Sequence, residues 1–191
     1  DTMSWSRLGA NAVGIDFSDE AIRVAKDLSR ELNLDTQFLC SNVYDLKEQL
    51  SEKFDIVFAS YGVIGWLPDL NKWAEIINYF LKPGGIFYMA EFHPVIWMFD
   101  DDFKEFAYSY FYDGVIEIDQ EGTYADKNSK LLHKEFSWNH SLGEVFNALL
   151  KQGLEIDLFN EYDYSPYNCF PNMIEKSSGK FYIRGFEHKL P

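Results

Sequence analysis

Four residues carry much of the chemistry this sequence offers: Asp16, Asn42, Ser60 and Glu91 each stand at or just past the carboxyl end of a segment that reads as a β-strand. In an open α/β sheet, ligands bind in the crevice at those ends, so a side chain there is placed to touch one. Asp16 closes Ala12-Val13-Gly14-Ile15, where a carboxylate accepts both hydroxyl protons of a ribose; capping the helix that follows is its other use. His93, in Glu91-Phe92-His93-Pro94, has a side chain whose ordinary pKa suits a general base, with Glu91 beside it as a second proton carrier. An imidazole bonded to nearby backbone is the alternative reading of His93. Trp66, His140 and Tyr164 are the further candidates to meet a substrate, and Trp66 equally suits a core position.

The elements that must position these groups alternate between helix and strand through the first half, the signature of a parallel sheet covered by helices on both faces. Residues 2–8 read as a helix ended by Gly9. Ser18 is an N-cap with Asp19 and Glu20 in the first turn, and Ala21, Ala25, Leu28 and Leu32 fall on one face of the helix it starts. Residues 36–40 form a short strand, and Phe54-Asp55-Ile56-Val57-Phe58-Ala59 reads as a central strand buried on both faces. Trp73, Ile76, Ile77 and Phe80 give a helical stripe that Lys82-Pro83-Gly84-Gly85 stops before the strand of residues 86–90.

The second half differs in kind. Residues 108–112 and 114–118 read as paired antiparallel strands rich in aromatics, and residues 119–130 as a polar turn. Ser141 caps a helix carrying Leu142, Val145, Phe146, Leu149 and Leu150, Gly153 ends it, and residues 154–159 return as a strand. Beyond Pro166 the chain reads as irregular. Tyr108, Tyr110, Phe111 and Tyr112 suit a lid over a planar acceptor, a half-buried sheet or a homodimer contact.

Composition narrows the function classes. A net charge of −14, with Lys and Arg scattered singly, repels a phosphate backbone, so nucleic acid is not expected as a partner. No apolar run reaches the roughly 20 residues of a membrane span, and the first residues carry no secretory signal, so a cytoplasmic protein without a membrane partner is expected. Cys40 and Cys169 stand far apart without metal-ligand spacing, so no metal site is expected and both read as reduced thiols.

Taken together, Val13-Gly14-Ile15-Asp16-Phe17-Ser18, Leu81-Lys82-Pro83-Gly84-Gly85, the stretch from Gly62 to Leu70 with Trp73, and Glu91-Phe92-His93-Pro94 resemble the class I S-adenosylmethionine (SAM) dependent methyltransferase family, within a bacterial small-molecule subgroup. The resemblance implies a doubly wound, Rossmann-like α/β fold, mostly parallel, with an antiparallel aromatic-rich insertion in the second half. It implies one methyltransferase domain over residues 1–191, with residues 96–140 as a lid or insertion within it. SAM is then the cofactor and a small molecule the acceptor, methylated by in-line transfer. Asp16 matches the acid that holds both ribose hydroxyls and Phe17 the wall for the adenine. Asn42 and Val43 fall where the family reads adenine, Asn42 departing from the usual acid, while Ser60 and Tyr61 match the segment that meets the methionine end. Ordinary packing is the alternative for Tyr61.

In the family pattern, a strand with a glycine-rich loop precedes the helix that opens this sequence, and a last strand follows its end. The expectation is a chain truncated at both ends, with an unfilled slot between the strands of Val13 and Ile56 and weak SAM binding as a result. Two other readings stand beside the enzyme. One is a noncatalytic binding module of the same fold; the other is a nicotinamide-dependent oxidoreductase, which also places an acid at the end of its second strand.

Overall fold

The computed structural model describes residues 1–100, 102–122 and 130–191, and within them the chain divides into two compact units. One comprises Asp1–Ser60 and Asn71–Met89; the other comprises Tyr61–Leu70 and Ala90–Pro191.

The first unit holds two strand pairs. Strand β1 (Val13–Asp16) runs parallel to β2 (Gln37–Cys40), with Asp16 opposite Cys40. Strand β3 (Phe54–Ser60) pairs with β4 (Leu81–Ala90); Lys82 reaches Asp55 and the Phe58 ring stacks on Tyr88, so these strands run in the same direction. Among the described residues no strand joins β1 to β3: each pair is a separate two-stranded sheet. Helix α1 (Thr2–Arg7) touches both pairs, with Trp5 edge-on to Phe58 of β3 and Thr2 against Gly14 of β1. A Cβ at Gly14 would stand 2.8 Å from the Phe38 ring and 2.9 Å from Thr2 Oγ1, so only glycine fits at this crossing.

Helix α3 (Leu70–Phe80) seals the other side. Its Ile76 and Phe80 join Leu46 in a core packed by Ile15, Leu39, Phe54 and Val57, drawn from three of the four strands. The stripe read from the sequence is therefore the buried one, with Trp73, Ile76, Ile77 and Phe80 all inside. Helix α2 (Asp19–Glu31) is capped by Ser18 as expected, but it is rotated by one position. Ile22 and Ser29 face inward with Ala25 half-buried, while Val24, Leu28 and Leu32 stay exposed. Small side chains at 25 and 29 let this row approach the β1–β2 pair closely, and the Ser29 hydroxyl donates to the Leu34 carbonyl. Strand β3 also departs from its reading: Ile56 is exposed, because it lies outside the Leu46 core on which its neighbours Phe54 and Val57 pack.

The second unit is built on aromatic contacts and short hairpins. Strands β5 (Ile116–Glu121) and β6 (Leu132–Ser137) pair antiparallel, as do β7 (Met173–Ser177) and β8 (Lys180–Ile183). Residues 108–112 are not a strand. Their polar groups are spent elsewhere: the Asn139 amide donates to the carbonyls of Trp97 and Ser109, and the Tyr110 hydroxyl accepts the Leu142 N–H. The antiparallel pairing predicted for 108–118 is thus displaced toward β6. Part of the polar stretch assigned as a turn, residues 123–129, lies outside the described residues, as does residue 101 of the expected insertion.

Helix α4 (Leu142–Lys151) begins with a reciprocal cap in which Ser141 Oγ accepts the Glu144 N–H and Glu144 returns to the Ser141 N–H. Residues 154–159 do not form the expected strand; no described strand lies beside them to take their backbone groups, and Leu158 is exposed. Conversely, the segment after Pro166 holds the β7–β8 hairpin, turned at Ser178-Gly179 and packed on Ile96, Phe103, Phe170 and Trp97. No helix among the described residues is long and apolar enough to cross a membrane.

Candidate functional site

Because β1 and β2 are in parallel register, their carboxyl ends lie side by side, and the Ser41 N–H donates to the Asp16 carbonyl. The Asp16 side chain is exposed, with Oδ1 accepting the Ser18 N–H at 2.8 Å and Oδ2 without a partner among the described residues. One oxygen therefore fixes the carboxylate at the helix entry while the other faces outward, ready for a hydroxyl pair. Both readings of Asp16, helix entry and ligand acid, are served by one side chain. Phe17 beside it is 79% exposed, a large apolar surface with nothing of its own unit over it.

Asn42 follows β2 and caps a 3₁₀ turn over Val43–Glu48, its Oδ1 accepting the Tyr44 N–H at 3.0 Å. This orients the amide so that its NH₂ points away from the turn. Val43 is half-buried and packs on the Leu46 core. Ser60, at the end of β3, donates to the Asp1 carboxylate at 2.6 Å.

In the second unit, Tyr61 and Gly62 take left-handed backbone conformations in succession, with φ of 52° and 94°. For tyrosine this costs about 1–2 kcal/mol, which the surroundings must hold in place. They do so through Glu91. Its Oε2 accepts the N–H groups of Val63 at 2.7 Å and Ile64 at 3.1 Å, and its Oε1 accepts that of Phe92 at 2.9 Å. The Tyr61 N–H itself donates to the Ala90 carbonyl at 2.5 Å. Trp66, in the 3₁₀ turn Ile64–Trp66 that follows, is 54% exposed rather than in the core.

His93 is likewise engaged at both nitrogens. Nδ1 accepts the Val95 N–H at 3.2 Å and Nε2 lies 3.0 Å from Glu161, a tautomer with the proton on Nε2. Burial pushes its pKa below the ordinary histidine value, and the Glu161 carboxylate pulls part of the way back. His140 is buried, with Nε2 on the Leu67 carbonyl at 2.7 Å and its ring stacked on Tyr112. Tyr164 is half-buried and packs edge-on against Tyr162 with Lys180 over its face.

The structure brings Asp16, Phe17 and Asn42 to neighbouring strand ends in one unit, and Tyr61 and Glu91 together in the other. His93, His140 and Tyr164 are held in separate structural contacts. One residue escapes sequence reasoning: Glu161 stands 68 positions beyond His93 and shows in the sequence only as one acid among many.

The family model for a methyltransferase domain matches residues 5–152, well over half of the chain. The chain belongs to the methyltransferase domain family. It is similar to the ubiquinone biosynthesis O-methyltransferase of Brucella anthropi, 32% identical over 85 residues, 44% of this chain and 34% of that protein. The chain thus spans about a third of the length of the curated relatives it matches. Its fold is similar to that of a SAM-dependent methyltransferase from Clostridium acetobutylicum, with TM-score 0.62, 17% identity, and 94% of this chain and 76% of that one covered. It is also similar to the glycopeptide N-methyltransferase MtfA, with TM-score 0.54, 15% identity, and 87% and 70% covered. The methyltransferase domain is therefore Rossmann-like, as the sequence motifs implied, and the nicotinamide reading is set aside.

Proposed function

We propose that this methyltransferase domain binds SAM and directs its methyl group to a small-molecule acceptor. The observation that carries the proposal is Asp16, an exposed carboxylate with one oxygen fixed and one facing outward, beside the Asn42 turn at adjacent parallel strand ends. When bound, SAM supplies a methyl group on a positively charged sulfur, which a nucleophile displaces. Asp16 would hold the ribose hydroxyls, Phe17 and Val43 would flank the adenine, and Asn42 would meet its edge through the outward NH₂. That amide polarity suits a ring nitrogen acceptor better than the exocyclic amine. Ser60, at the end of β3 in the same unit, would meet the methionine end.

Proximity and alignment are the main contributions this site is built to make, since holding reacting groups in line supplies a large share of such a barrier. His93 and Glu91 have no idle acceptor atom, so neither is assigned the acceptor's proton. Trp66, exposed in the second unit, would stack on an acceptor; His140 and Tyr164 would act by supporting the surrounding loops. An oxygen acceptor is the first to test, because the curated relatives are O-methyltransferases by name. A cytoplasmic location and the absence of a nucleic-acid partner belong to the same proposal, resting on the acidic composition. A noncatalytic module would bind SAM equally well and transfer nothing.

Titration calorimetry of the full-length protein with SAM, followed by transfer of labelled methyl groups to pooled hydroxylated metabolites, tests the proposal. Binding with transfer supports the enzyme; binding without transfer supports the module. Binding that is unchanged in Asp16→Ala contradicts the assigned role of the acid.

A further inference from the structure

We propose that the cavity beside the His188–Asp163 pair binds a small organic cation, of which a primary alkylammonium is the simplest. The cavity lies wholly within the unit formed by Tyr61–Leu70 and Ala90–Pro191, and its chemistry does not depend on SAM. Its volume is about 280 Å³, at the small end of ligand cavities, and Glu161, Tyr162, Asp163, His188, Lys189 and Leu190 line it.

Two imidazole–carboxylate pairs meet here. His188 Nδ1 bonds to the Asp163 carboxylate, and His93 Nε2 lies 3.0 Å from Glu161 Oε1. Each carboxylate spends one oxygen on its imidazole, and Glu161 Oε2 and Asp163 Oδ1 have no partner among the described residues. With the His188 proton donated to Asp163 through Nδ1, the imidazole keeps a lone pair on Nε2, which also lacks a partner among them. The Tyr182 ring, 8% exposed, packs 5.2 Å from the His188 ring and steadies it. Burial holds His93 below the ordinary histidine pKa, so its neutral ring leaves the Glu161 charge uncancelled. Lys189 donates from Nζ to the Gly185 carbonyl at 2.9 Å, so its charge is engaged by its own turn.

A cavity so lined offers hydrogen-bond acceptors and negative charge, with the Tyr162 ring and Leu190 beside them for an alkyl stem. A ligand carrying several N–H donors and a positive charge matches that set. An anion would face two carboxylates, and an alcohol has a single proton to donate. Among the described residues no group of three or more His, Cys, Asp or Glu is arranged to hold a metal ion, so an organic cation is the better match.

The test is an NMR titration of the full-length protein that follows the His188 ring signal. Its ligands are n-butylammonium and, at the same length without the positive charge, n-butanol and butyrate. n-Butylammonium is expected to bind at least about fivefold more tightly than n-butanol, and butyrate to leave the signal unmoved. Asp163→Asn and Glu161→Gln are each expected to weaken n-butylammonium by about three- to fivefold, the modest effect of a partly exposed charge. Asp119→Asn, which removes an exposed acid of β5 outside the lining, is expected to leave it within about 1.5-fold.

The absence of a saturable shift at His188 with n-butylammonium overturns the proposal. So does n-butanol of equal affinity, which would mark the cavity as an apolar recess. Equal weakening in Asp119→Asn and Asp163→Asn overturns it as well, since the diffuse charge of the whole molecule would then account for the attraction.

Discussion

At the strand ends of the Asp1–Ser60 and Asn71–Met89 unit, polar side chains keep an atom turned outward, whereas in the unit formed by Tyr61–Leu70 and Ala90–Pro191 the candidate polar groups are consumed by the fold. Asp16 fixes itself with one oxygen and presents the other; Asn42 caps with its oxygen and presents its NH₂. Glu91, His93 and His140 show the opposite pattern, each committed to backbone or to a partner carboxylate. A regular βα unit satisfies its own backbone through ladders and helices, which frees side chains for ligands. An irregular aromatic region has fewer such ladders, so its side chains must satisfy the backbone themselves.

The largest effect that would break this comparison lies in the core of the regular unit. Phe80→Ala should destabilise the protein by about 3–5 kcal/mol in denaturant unfolding, since Phe80 is 3% exposed and belongs to the core cluster on which residues of both strand pairs pack. A loss below about 1 kcal/mol would mean that α3 does not hold the two pairs together. Next comes Asp16→Asn, expected to weaken SAM by about tenfold to a hundredfold at little cost in melting temperature, because a charged hydrogen-bond acceptor is worth roughly 1.5–3 kcal/mol. A drop in stability of similar size would place Asp16 with the structurally committed group.

In the irregular unit the effects should fall on stability instead. Ser141→Ala removes one arm of the reciprocal cap on α4 and should cost about 1 kcal/mol by urea titration, with SAM affinity unchanged. The smallest effect concerns His93. Its pKa is lowered in the folded protein, chiefly by burial, so the unfolded chain binds the proton more readily. The neutral imidazole's contribution is therefore complete above the ordinary histidine pKa of about 6.5 and is lost as pH falls below it. Stability measured between about pH 5 and 7.5 should decline toward acid less steeply in His93→Gln than in the wild type. A parallel decline in the two would show that Glu161 offsets burial completely.

How much the sequence disclosed follows the same division. Periodicity located α1 through α4, and Ser18 and Ser141 both cap as read, because caps and amphipathic rows are set by neighbours a few positions apart. The partners of β5 and β7 were not legible, since alternating aromatics at 108–112 look as strand-like as residues 132–137, and only long-range bonds from Asn139 and Tyr110 decide between them. At the candidate site, the residue types and their strand-end positions could be read. Their availability could not, because the atoms that occupy Glu91 and His93 lie up to 68 residues away.

The most direct measurement is a crystal structure of the full-length protein with S-adenosylhomocysteine. The ribose hydroxyls are expected within hydrogen-bond distance of Asp16 Oδ2, roughly 2.5–3.0 Å, while Oδ1 keeps the Ser18 N–H. A nucleoside bound away from Asp16, or a complex in which Asp16 leaves Ser18 and touches no hydroxyl, would contradict it.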